Sequence, residues 1–100
     1  MLALNEVELN HYLNDHEKTI VFCNSIKVGD CRKMIPSLFE LEKELNLEII
    51  KFDAYKNDKY LKELGVLFLP SILIFENKEL INKKSGLLDY QNLKELLTNI

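Results

Sequence analysis

The run Thr19–Cys23, TIVFC, shows no alternation of apolar and polar residues. A strand with one wet face alternates, so this one is buried on both faces and sits inside a sheet covered on each side. With Asn24 and Ser25 it forms a strand over 19–25. A second such run, LEIIKFD (47–53), follows. Between them, from Asp30, Met34, Leu38, Leu41 and Leu45, with Ile35 and Phe39, recur at three and four residues, the period of a helix with one apolar face. Strand, helix and strand in that order make a crossover unit with parallel strands. Pro36 lies inside the helix and is expected to kink it.

The remaining elements follow from local signals. Asn5 and Glu8 read as a capping box for a helix over Glu6–His16, whose Leu9, Tyr12 and Leu13 share a face. Asn57 and Asp58 cap a short helix through Leu64, and Gly65 supplies the left-handed residue that stops it. SILIFEN (71–77) and ELINKKS (79–85) are strands joined by a tight hairpin at Asn77–Lys78. Asp89 caps a closing helix that turns Leu93, Leu96, Leu97 and Ile100 inward. Met1–Leu4 forms a short edge strand. The order β-α-β-α-β-α-β-β-α predicts an α/β fold, a mixed sheet with helices on both faces. One hundred residues suffice for one such domain, over 1–100, and not for two.

A formal charge of −3 excludes a partner held through phosphate contacts, so no nucleic acid is expected. No apolar stretch approaches the ~20 residues that span a bilayer, so no membrane is expected either. The first residues carry no basic region before an apolar one and do not read as an export signal. Two cysteines without such a signal fit a reducing cytoplasm. Cys23 and Cys31 lack zinc spacing, and neither a metal nor a cofactor is expected. His11 and His16 read as surface residues, and KFDAYKNDKYLKE (51–63) as a solvated face.

Four segments carry a family resemblance. VGDCRKMIP (28–36) is similar to C-x-x-C-[KR]-x-x-x-P with Val28 in place of the first cysteine. GVLFLPSILIF (65–75) enters a strand through Pro70. Gly86 follows the last strand, and LLDYQNLKELL (87–97) closes the chain. Together, in this order, they resemble the thioredoxin family. The resemblance implies the thioredoxin fold over the whole chain, with Pro70 as a cis-proline packed beside the helix start that holds Cys31.

It also implies what is missing. In the family the first cysteine attacks from a helix N-terminus, which stabilises its thiolate, and the second resolves the mixed disulfide. Val28 cannot ionise, and Cys31 matches the resolving position. Phe22 stands where the family has a buried acid, Lys27 where a tryptophan precedes the motif, and Phe68 where the family often has a small residue. The family's lysine survives as Lys51. Dithiol catalysis is therefore excluded. By strand alternation Cys23 faces away from Cys31, so no disulfide joins them.

Two readings stay open. In one, the chain is a binding module linked to thiol redox homeostasis. Lys27, Val28, Gly29, Asp30, Leu69 and Pro70 then hold an extended segment of a protein partner, with the backbone at Leu69–Pro70 pairing as an added strand. In the other, Cys31 acts as a single thiol toward a partner thiol or glutathione. Asp30 reads as the N-cap of its helix. A monomer is expected in both.

Overall fold

The computed structural model describes residues 1–99. The elements are β1 (Leu2–Leu4), α1 (Glu6–Asp15), β2 (Lys18–Asn24), α2 (Gly29–Leu45), β3 (Ile49–Asp53), α3 (Asp58–Glu63), β4 (Ser71–Glu76), β5 (Glu79–Ser85) and α4 (Tyr90–Thr98). This is the expected order, with ends moved by a residue or two. The inward-turning Ile100 lies outside the described residues.

The strands lie in the order β1-β3-β2-β4-β5. β1, β3 and β2 run parallel, and β4 and β5 are antiparallel to their neighbours. β2 is central, which is why Thr19–Asn24 is buried residue after residue. Its side chains divide between two cores. Ile20 and Phe22 pack with Cys31, Met34, Leu38 and Leu41 of α2 and Leu93 and Leu97 of α4. Val21 and Cys23 pack on the other face with Leu9 and Leu13 of α1 and Leu61 of α3.

The caps explain the boundaries. Asn5 Oδ1 accepts from Glu8 N–H while Glu8 Oε1 accepts from Asn5 N–H, so the box that starts α1 is complete. Asp89 accepts from Asn92 N–H at the start of α4. Asn57 occupies the N-cap of α3 without capping it, because its side chain donates to the Asp53 carbonyl instead. Pro36 sits on the solvent side of α2, where the carbonyl it leaves unpaired can face water, and the helix runs unbroken through it. Phe39, expected on the inner face, is 47% exposed. Asn77 and Lys78 both take positive φ, as a two-residue hairpin requires.

Candidate functional site

The site is assembled where β2 turns into α2. Ser25 organises the turn: its carbonyl accepts from Val28 N–H at 3.1 Å and its Oγ from Lys27 N–H at 3.2 Å. The guanidinium of Arg32 donates back to the Ile26 carbonyl. Val28, half-buried, is the last extended residue, and its carbonyl accepts from Cys31 N–H at 3.1 Å. Val28 is thus the N-cap, which corrects the expectation that Asp30 caps the helix. Asp30 lies within the first turn. Its carboxylate complements the helix dipole there and pairs with Lys33 at 3.5 Å, exposed to solvent. Gly29 and Lys27 are also exposed.

That two-residue shift of the N-cap places Cys31 in the first turn of α2, facing the sheet, at 0% exposure. Burial pushes its thiol above the ordinary value. A hydrogen bond with the Ser25 backbone and the nearby Arg32 charge oppose that rise, and Asp30 adds to it. Phe22, fully buried, shares the Cys31 core, so the inner side of the thiol meets hydrocarbon and no acid. Cys23 is also fully buried, and burial first, then the charge of Cys31, push its thiol up to about 12. Both cysteines are free. Lys51 is half-buried, and its register partner on β2 is Phe22.

A second segment, Val66–Ser71, faces this turn. The Leu69–Pro70 bond is cis. Pro70 is buried and its carbonyl accepts from Gly86 N–H at 2.8 Å. Ser71 Oγ donates to the Phe68 carbonyl at 2.6 Å and meets Ser85 Oγ at 2.9 Å. The loop is therefore tied to the end of β5. It follows that Pro70 has no backbone group to offer a partner, since it lacks an N–H and its carbonyl is engaged. The backbone available for strand addition narrows to Leu69, half-buried, which with Val28 packs against the Cys31 core.

Around this pair lies an apolar rim that the sequence reading missed in part. Ile26, Tyr55, Leu67 and Phe68 are each between 70% and 75% exposed. Lys27 Nζ sits 4.4 Å from the centre of the Tyr55 ring. Ser25, Ala54, Tyr55, Asp58 and Leu69 line a cleft of about 520 Å³ that joins the two loops. Tyr55 was hidden in a charge-rich stretch that reads as solvated surface. The only signal was its place just past the end of a central strand, where loops of this fold class converge.

Comparison with known proteins decides the relationship. The family model described as Thioredoxin matches residues 1–99. The chain belongs to the thioredoxin family. A thioredoxin from Rickettsia typhi is 37% identical over 71 residues, covering 69% of this chain and 65% of that protein. One from Bacillus subtilis is 30% identical over 71 residues, covering 69% and 68%. These matches thus span about two thirds of the relatives' length. A Buchnera aphidicola thioredoxin aligns more fully, at 30% identity over 97% of this chain and 92% of its own. Solved thioredoxins from Plasmodium falciparum and Fasciola hepatica share the fold, with TM-scores of 0.90 and 0.88 at 18% and 22% identity. Each covers 99% of this chain and 98% of its own. Among the described residues no helix is long and apolar enough to cross a membrane.

Proposed function

We propose that this thioredoxin-family chain is a binding module that holds an extended, apolar segment of a protein partner without dithiol chemistry. The partner lies across Lys27–Asp30 and Phe68–Pro70, and its role belongs to thiol redox homeostasis in a reducing cytoplasm. One observation carries the reading: Val28, which the motif resemblance aligns with the nucleophile, is the helix N-cap, while Cys31, in the first turn, is buried with a raised thiol pKa. A thiol so placed is neither exposed nor ionised at neutral pH, the two conditions for attack. What the loops do present is apolar: Ile26, Tyr55, Leu67 and Phe68 are largely exposed, and Tyr55 shares a cleft with Leu69. The segment would gain specificity from these side chains and two backbone hydrogen bonds from Leu69. The protein acts as a monomer.

A competing reading, a monothiol disulfide or glutathione-linked enzyme acting through Cys31, draws on the Ser25 hydrogen bond and the Arg32 charge, which favour a thiolate. One experiment separates the two. A displayed random-peptide library is selected on the wild-type chain, and the best peptide is titrated against Cys31→Ser and Phe68→Ala. Affinity kept in Cys31→Ser and lost in Phe68→Ala supports the binding module. Affinity lost in a folded Cys31→Ser variant refutes it in favour of the monothiol enzyme.

A further inference from the structure

The loop that carries Leu67 and Phe68 begins where α3 ends. Val66 N–H donates to the Leu61 carbonyl at 2.8 Å and Gly65 N–H to the Lys62 carbonyl at 3.0 Å, with Gly65 at a φ of +78°. This crossed pair of bonds closes a helix on a left-handed glycine. Val66 and Leu61 are both buried in the core beneath α1 and α3, as the hydrophobic contact of that motif requires. Two carbonyls lie beyond the crossing. Those of Leu64 and Gly65 accept no backbone N–H among the described residues.

Lys83 of β5 supplies their donor. Its Nζ lies 3.1 Å from the Gly65 carbonyl oxygen and 3.5 Å from that of Leu64. A Cβ on Gly65 would come within 2.6 Å of the same nitrogen, so the ammonium fills the space beside the glycine. The register explains the reach. Lys83 pairs with Leu73, a member of the core beneath α3, so its side chain leaves the sheet on the α3 side. Lys84 pairs with Ile72 and leaves on the other. Ser85 shares the Lys83 face, its Oγ 2.9 Å from Ser71 Oγ, and Gly86 N–H holds the Pro70 carbonyl. One strand thus grips the loop at both ends.

We propose that Lys83 is a positioning residue for the docking loop. It fixes the end at Gly65, so that Leu67 and Phe68 are presented in one place, and removing its charge weakens partner binding without its touching the partner. Its effect on a partner rests on the binding-module reading, whereas its hold on the loop does not.

The test compares three variants of the full chain. Lys83→Met keeps the stem and removes the donor, Lys83→Arg keeps a cationic donor, and Lys84→Met removes the same charge from the opposite face. Amide hydrogen exchange reads the loop without any partner. Exchange at Gly65 and Val66 should quicken about threefold in Lys83→Met, the effect of one cation at an exposed helix end, while β2 amides stay as in the wild type. The peptide selected on the wild-type chain should bind Lys83→Met about threefold more weakly. Lys83→Arg and Lys84→Met should match the wild type in both readouts. Unchanged exchange at Gly65 and Val66 in Lys83→Met overturns the proposal, as does acceleration spread evenly over the sheet. So does a loosened loop with undiminished peptide affinity, or a Lys84→Met variant that binds as weakly as Lys83→Met. A peptide whose footprint on the wild type lies outside residues 66–70 refutes the binding module instead, and with it the effect of Lys83 on a partner.

Discussion

Cys23 and Cys31, both fully buried, lie in separate cores on opposite faces of the sheet, with β2 between them. Neither can reach the other without unfolding the strand. The native protein held under diamide should therefore keep two free thiols by intact mass. Bridge formation without loss of the native circular dichroism would refute the placement.

The two thiols should also respond differently to pH. Alkylation of Cys31 should rise only above the ordinary thiol value of 9.0, since burial outweighs the groups that lower it. Cys23, at about 12, should lag further, and both should react fast once urea unfolds the chain. A Cys31 midpoint near neutrality would revive the monothiol enzyme.

The Cys23 shift has a consequence for stability. A thiol held neutral in the fold binds a proton that the unfolded chain has already released. Its stabilisation is whole below the unfolded pKa, 9.0, and is lost as pH climbs toward about 12. Cys23→Ala removes this titration. Its urea midpoint should fall less steeply than the wild type's between those values, whatever its level at pH 7. Parallel slopes would contradict the shift.

Val28→Cys should restore a disulfide. Val28 and Cys31 flank the first turn, with the Val28 carbonyl 3.1 Å from Cys31 N, which holds the two Cα atoms within the ~7 Å that a bridge allows. Reduction of insulin disulfides should become measurable but slow, because Phe22 supplies no acid beside the buried thiol. A folded variant that never bridges under oxidation would show that Val28 is not at the nucleophile's position.

Gly86 links fold stability to the loop. Its φ of +101° strains any residue with a Cβ, and its N–H holds the Pro70 carbonyl. Gly86→Ala should cost about 1–3 kcal/mol in urea unfolding. It should also weaken the selected peptide, although nothing stands within 4 Å of the added methyl group. A loss of stability with unchanged peptide affinity would uncouple Pro70 from the binding surface.

The fold could be read from the sequence because its signals are local or periodic. TIVFC has no polar face, the Asn5–Glu8 box is self-contained, and the α2 pattern keeps its spacing through Pro36. The site was less legible for two reasons. The α2 boundary was set by the backbone of Val28, whose side chain carries no capping signal, so Asp30 drew the assignment. Pairing of the Pro70 carbonyl with Gly86 joins residues 16 apart, and no pattern along the chain announces it. Tyr55 and Ile26 join the rim only through the convergence of three loops.

The margins of the sheet matter for how the protein behaves at high concentration. β1 is three residues long, too short to template a neighbour. β5 is seven residues long and outermost, but a register irregularity faces it at Ile74/Phe75, and it carries Lys83 and Lys84. Lys83 Nζ also donates to the Gly65 carbonyl at 3.1 Å, which anchors the charge in place. Valine at both positions would turn a flank that repels other copies into a seed for aggregation.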